Sequence, residues 1–220
     1  PLAIYRGTLL QSVINDAADA GAKPSGAKLS FPSGSTGAPK GVELDAAFIE
    51  QSCHSICQAI PRAAVDVHLS ILPYATLLEN LAGVYVPLML GKCVVAEPAA
   101  AVGLLPDLVV DPGMLARAIA ITQPASLILT PQLLELLCVL CERGASDPAC
   151  LEFVAVGGAR VGESLLQRAR DAGIPAYEGY GLTEFASVAM LNTPAANRIG
   201  SVGKPLPGVR VSLAEDGEIR

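Results

Sequence analysis

Short apolar runs and longer amphipathic stretches alternate along this chain. AKLSF (27–31), VHLSIL (67–72), KCVVA (92–96), SLILT (126–130) and LEFVAV (151–156) predict strands, and helical spacing of apolar positions at 45–60, 77–90, 112–123, 131–143 and 162–172 predicts helices between them. Strand and helix in alternation predict an α/β fold, mostly parallel sheets flanked by helices. The helix ends carry matching signals. Pro131 stands where an N1 proline opens a helix, and Gly173 follows ESLLQRARDA as a C-terminal cap does. From Gly208 the pattern changes to VRVSLAEDGEIR, whose Asp216-Gly217 predicts the turn of a C-terminal β-hairpin region. The proline-punctuated stretch 98–113 reads as a loop, and there is no internal repeat.

Composition narrows the class. The 220 residues suffice for a sizeable core, and 51% of them are hydrophobic. The longest apolar stretch, LLENLAGVYVPLMLG at 77–91, is too short to span a bilayer and is interrupted by Glu79, Asn80 and Pro87, so a buried helix explains it better than a membrane span. A net charge of −6 without any Lys/Arg cluster argues against a nucleic-acid surface. Six cysteines invite a metal or disulfide reading. Cys138 and Cys141 form a C-x-x-C, but the run has helical apolar spacing and no second pair follows. Cys53 and Cys57 share a helix face that His54 does not, which completes no ligand set. Buried small thiols are the expectation, and the absence of a signal peptide and of regular cysteine spacing favours a reducing cytoplasm.

One segment departs from what composition would produce. Residues 33–42 read SGSTGAPKGV, directly after AKLSF. Such a loop has backbone N–H groups and hydroxyls to wrap a polyphosphate, with Lys40 adding a positive charge. In the commoner G-x-x-x-x-G-K-[ST] loop a magnesium-binding hydroxyl follows the lysine. Here Gly41 follows Lys40, which excludes that motif. A hydrolase elbow, G-x-S-x-G, is also missing.

The loop resembles the phosphate-binding signature of the adenylate-forming superfamily, which includes acyl- and aryl-CoA synthetases, luciferases and peptide-synthetase adenylation domains. Three further segments stand in the family's order: FVAVGGARV (153–161), AYEGYGLTE (176–184) and RIGSVGKPLPGVRVSLAEDGE (198–218). The resemblance divides the chain into a segment without motif (1–27), a partial α/β adenylation core (28–207) and the start of a β subdomain (208–220). It implies the central part of the family's large domain, with a ribose-binding aspartate, a hinge and a C-terminal lysine lying beyond this sequence.

It also implies roles. Ser33, Gly34, Ser35, Thr36, Gly37 and Lys40 would hold the β- and γ-phosphates of ATP. Gly157, Gly158 and Ala159 would let adenine and acyl group approach the backbone. In the segment that includes Gly179 and Gly181, Tyr180 would offer a face to adenine, Thr183 a hydroxyl to the α-phosphate, and Glu184 an oxygen to Mg²⁺. The implied catalytic set is Lys40, Thr183 and Glu184. The implied reaction converts a carboxylic acid to an acyl-adenylate and then to a thioester, with coenzyme A or an acyl carrier protein as acceptor. The alternative is a non-catalytic nucleotide-binding or scaffold module of the same fold.

For the substrate, ILPYATLLENLAG (71–83) resembles the LP-x-x-H segment of fatty acyl-CoA synthetases, with Thr76 in place of histidine. No aspartate occupies the region that binds an amino group in amino-acid-activating members, so the expected acid is apolar, with Leu72, Leu77, Leu78 and Leu81 as candidates for an apolar wall and Tyr74 and Thr76 as further pocket candidates. His68, inside an apolar strand pattern, reads as a core or strand-end residue rather than a base. The carboxyl ends of the strands should place the loop after AKLSF, the turn after LEFVAV and the segment after AYE on one crevice.

Overall fold

The structure is a computed structural model that describes residues 4–5, 28–30, 41–105 and 109–219. Its main sheet contains β1 (Ile4–Tyr5), β4 (Val67–Leu69), β5 (Cys93–Val95), β6 (Ser126–Leu129), β7 (Phe153–Val156), β8 (Ala176–Tyr180), β9 (Met190–Leu191) and β10 (Lys204–Pro205). The spatial order is β1-β5-β4-β6-β7-β8-β9-β10. The central neighbours β5, β4, β6, β7 and β8 are parallel, while β1 and the β9–β10 pair are antiparallel edges. The predicted α/β class with a mostly parallel sheet is the fold observed.

Helices α1 (Ala46–Ala59), α2 (Val86–Met89), α3 (Pro112–Thr122), α4 (Pro131–Glu142) and α5 (Glu163–Asp171) flank it. Side chains cap three of them: Asp45 accepts from the Ala47 N–H, Asp111 from Met114 and Thr130 from Leu133. Such a cap stabilises a helix by about 1 kcal/mol. Successive strand residues face opposite sides, so the sheet separates two cores. Leu69, Leu127, Leu129, Val154 and Val156 pack with α3, α4 and α5 on one face. Phe153, Leu77, Leu81 and Val86 pack with α1 on the other. Pro131 and Gly173 act as expected, the second with φ +77°.

Two elements differ from the sequence pattern. β2 (Lys28–Ser30) pairs antiparallel with β3 (Val42–Leu44) in a separate two-stranded sheet. The connection between them is too short for a parallel crossover, which needs about a dozen residues or more and usually a helix. The predicted helix 77–90 is widened into a π-helical stretch, Glu79–Tyr85, before α2. Pro87 lacks an N–H and its ring crowds the carbonyl four residues back, and a π stretch just upstream accommodates both. At the C-terminal end an antiparallel bridge, Leu213↔Ile219, closes around Gly217, with φ +83°. The stretch 98–113 contains a 3₁₀ turn, Ala99–Val102, and a bridge between Leu104 and Val110. No helix among the described residues is long and apolar enough to cross a membrane.

Candidate active site

Parallel pairing of Leu129 with Val156 and of Val156 with Glu178 aligns the carboxyl ends of β6, β7 and β8. The chain leaves β7 through Gly157, Gly158 and Ala159, beside the strand that delivers Gly179, Tyr180 and Gly181. The Gly157 N–H still donates to the Leu129 carbonyl, at 3.1 Å, and a Cβ on Gly157 would come within 3.3 Å of Leu78 Cδ2. Gly158 has φ +84°, and it and Ala159 are exposed at the mouth of the turn. The turn therefore presents backbone rather than side chains, as close approach of a ligand requires.

The second wall is set by crowding. Gly179 and Tyr180 pair with Leu191 and Met190 of β9. At Gly181 a Cβ would lie 1.4 Å from the Ser187 carbonyl oxygen, so only glycine passes there. The chain then folds through the 3₁₀ turn Thr183–Phe185, and Ala186 (φ 50°) and Ser187 (φ 87°) reverse it in the left-handed region. Thr183 is half-buried and Glu184 exposed. The Glu184 carboxylate has no hydrogen bond or ion pair among the described residues, and acceptor-only oxygens of this kind fit a hard cation such as Mg²⁺. No group of three or more His, Cys, Asp or Glu poised to hold a metal occurs among the described residues.

Ser33, Gly34, Ser35, Thr36, Gly37 and Lys40 lie outside the described residues. The hairpin that flanks them is described. β3 packs on the Thr183–Phe185 turn, and Phe48 at the start of α1 meets Phe185 edge to face at 5.7 Å. Lys28 on β2 donates to the Asn80 side chain. Burial pushes the Lys28 ammonium below its usual range. Thus two of the three segments expected on one crevice follow strands of one sheet, and the hairpin that flanks the third is docked on the Thr183–Phe185 turn.

The acyl-side candidates separate by position. Leu77 (8% exposed) and Leu81 (0%) belong to the core under α1, and Leu72 packs in the opposite core. Only Leu78, of the four, is seen to reach the Gly157 turn. The Thr76 hydroxyl donates to the Pro73 carbonyl at 2.7 Å and so serves its own loop. Burial raises the pKa of the Tyr74 phenol, and the Ser70 side chain opposes this.

Beneath the π stretch lies a polar cluster. His68 Nδ1 is 2.9 Å from Ser126 Oγ, His68 Nε2 is 3.3 Å from Glu79 Oε1, and the Ser70 hydroxyl donates to the same oxygen. The order serine, histidine, glutamate matches a nucleophilic triad, yet none of the four is more than 3% exposed, which excludes attack on any substrate. His68 is a hydrogen-bonded core residue, as its apolar surroundings in sequence led one to expect. Sequence reasoning missed Glu178 and Asn192, buried polar residues beside the glycine turn. An acid inside the strand run AYEGY was the available signal for the first.

Comparison with known proteins bears on this geometry. The profile of the family described as AMP-binding enzyme matches residues 11–220. A long-chain-fatty-acid–CoA ligase of Mycobacterium bovis is 43% identical over 77 residues, covering 35% of this chain and 13% of that protein. A putative fatty-acid–CoA ligase of Mycobacterium tuberculosis is 27% identical across 86% of this chain and 41% of its own length. A 2-succinylbenzoate–CoA ligase of Escherichia coli is 41% identical over 66 residues, covering 30% of this chain and 14% of that protein. This chain therefore spans well under half the length of these curated relatives. Among solved structures, an anthranilate CoA ligase in complex with anthranoyl-AMP superposes with a TM-score of 0.73 at 20% identity, over 87% of this chain and 36% of that one. The o-succinylbenzoate coenzyme A synthetase of Bacillus subtilis, in complex with ATP and magnesium ion, gives 0.68 at 23% identity, over 87% and 38%. At these identities the structures establish the fold.

Proposed function

We infer a function from the family this chain belongs to, the AMP-binding enzymes: the chain serves the ATP-dependent activation of a carboxylic acid to an acyl-adenylate, which is then passed to coenzyme A. The observation that carries this reading is the parallel alignment of β7 and β8, which sets the Gly157-Gly158-Ala159 turn, with no side chain larger than a methyl, beside the 179–184 segment. One wall offers backbone to a planar base and an acyl group. The other offers an aromatic ring, a hydroxyl and the Glu184 carboxylate.

In the proposed reaction a substrate carboxylate oxygen attacks the α-phosphorus. The bond from that phosphorus to the bridging oxygen breaks, and pyrophosphate leaves with the electron pair. Charge builds on the phosphate oxygens, so donors already in place lower the barrier without reorganising. Thr183 donates its hydroxyl to the α-phosphate, Tyr180 stacks on adenine, and Lys40 with the 33–37 hydroxyls and N–H groups receives the departing pyrophosphate. Magnesium, when bound at Glu184, supplies charge that brings two anions together.

The favoured substrate is an apolar carboxylic acid. Leu78 stands against the Gly157 turn, and the one carboxylate of the 71–83 segment, Glu79, is fully buried and shared by Ser70 and His68, so it is not available to a substrate ammonium group. Relatives named as fatty-acid–CoA ligases support the same choice.

Calorimetry on this chain tests the site. ATP·Mg²⁺ should bind more tightly than inorganic tripolyphosphate·Mg²⁺, and Lys40→Ala and Glu184→Ala should each weaken ATP·Mg²⁺ by about tenfold, the ~1.4 kcal/mol scale of one charge-assisted contact. Equal binding of the two ligands, unchanged by either substitution, would overturn the assignment and leave a scaffold of this fold.

A further inference from the structure

The two walls of the site stop pairing at Val156↔Glu178, so something else must fix the turn beyond β7 against the segment beyond β8. Glu178 is placed to do this. Its Oε1 accepts the Val161 N–H at 3.0 Å, with Glu178 4% and Val161 2% exposed. Its backbone carbonyl accepts twice more, from the Asn192 N–H and from Asn192 Nδ2, both at 3.0 Å. Asn192 is 1% exposed and every arm of its amide is used: Nδ2 also donates to the Ser201 carbonyl, and Oδ1 accepts the Arg198 N–H at 2.9 Å. Gly203, at φ +91°, presses the same return loop onto β9, since a Cβ there would lie 2.0 Å from the Leu191 carbonyl carbon.

A buried carboxyl group with one backbone donor and no cation in hydrogen-bond contact among the described residues is a costly choice. Leucine or methionine would fill the same volume without that cost. The acid supplies what they lack, an acceptor for the Val161 N–H beyond the end of β7. Through Asn192 the same residue also gathers the 198–203 loop. The 157–162 turn, Asn192 and the 198–203 loop are therefore joined at one strand position.

We propose that Glu178, locked by Asn192, is a positioning residue for the nucleotide site: it holds the 157–162 turn at a fixed spacing from Tyr180 and Thr183, so that adenine and α-phosphate are met together. The proposal rests on the nucleotide-site reading above, and its test separates the two. Glu178→Gln keeps an oxygen acceptor for Val161, whereas Glu178→Met keeps length and apolar volume but loses the acceptor. Three readouts on the 220-residue chain are compared: amide exchange of the 157–162 segment by mass spectrometry, ATP·Mg²⁺ affinity by calorimetry, and the urea midpoint.

Glu178→Met should exchange the 157–162 amides at least about tenfold faster and bind ATP·Mg²⁺ about tenfold more weakly. Glu178→Gln should stay within about twofold of the parent chain in both, and the urea midpoints of the two variants should agree. Unchanged exchange in Glu178→Met overturns the proposal. So does a loss of affinity that is equal in both variants and follows the urea midpoint, because that is a purely structural effect. Failure of the parent chain to bind ATP·Mg²⁺ would refute the nucleotide-site reading, and the exchange comparison would still decide whether Glu178 holds the turn.

Discussion

Replacing Glu79 by alanine probes the polar cluster under the π stretch. Glu79 Oε1 is the shared acceptor for the Ser70 hydroxyl and for His68 Nε2, and Glu79, His68 and Ser70 are 0%, 2% and 3% exposed. Water cannot replace the lost oxygen without opening the core. Two stranded donors at about 1–3 kcal/mol each and the void left by four heavy side-chain atoms set an expected loss of about 3–5 kcal/mol. That is a large share of the roughly 5–15 kcal/mol that holds a domain folded. Glu79→Gln retains an oxygen for Ser70 and should cost about 1–2 kcal/mol. In the double variant with His68→Ala the summed single losses should exceed the observed loss by at least ~1 kcal/mol, because each single variant strands the other partner. Urea unfolding followed by circular dichroism, with m checked for constancy, reads the parent chain and all four variants. A loss below about 1 kcal/mol for Glu79→Ala at unchanged m would refute the buried hydrogen-bonded cluster.

Gly181→Ala would place a methyl 1.4 Å from the Ser187 oxygen, so the 183–187 reversal must move; the expected result is a loss of more than about 2 kcal/mol in urea unfolding, together with loss of ATP·Mg²⁺ binding, and a neutral outcome would contradict the packing. Burial pushes the Cys53 thiol up to about 12 and the Cys141 thiol to about 11, against 9.0 when exposed. Their contribution to stability is complete below about pH 9 and is lost as pH rises toward 11–12; Lys28, held low, acts in the opposite sense over the window just below 10.5. The urea midpoint should fall between pH 8.5 and 10.5, and Cys53→Ala should flatten that fall; a midpoint that rises would reverse the sign of the argument. Cys53 should also resist a thiol reagent at pH 8 until the chain is unfolded, since the thiolate is the reactive form.

Much of the sheet was legible because its strands are short apolar runs with capped helices between them. Pro131 and Gly173 marked boundaries that the backbone respects, and the five helical stretches lie within a residue or two of their expected limits. β2 was legible as a strand but not as a separate hairpin, because pairing depends on the length of the connection and on β3, whose three residues VEL have little pattern of their own. β9 and β10 are two residues each and escaped notice for the same reason. The π stretch was hidden since an apolar helix repeat does not reveal one extra residue per turn. The glycines and hydroxyls proposed for the site were singled out by the resemblance of their segments to a family signature, whereas Glu178 and Asn192 stand out by burial, which only tertiary contact creates. The four leucines expected as a wall share an apolar identity but not a direction, and only Leu78 is seen at the crevice.

The central claim is that this site activates a carboxylic acid on ATP, and acid-dependent exchange of labelled pyrophosphate into ATP by the protein that contains this chain tests it most directly. Fatty, aryl and amino acids should be compared side by side. The account predicts exchange with medium or long apolar acids above that with amino acids, changing by only about 1–3 kcal/mol per methylene, and its loss in Glu184→Ala. Exchange with amino acids alone would contradict the substrate assignment, and no exchange with any acid would contradict the activity itself.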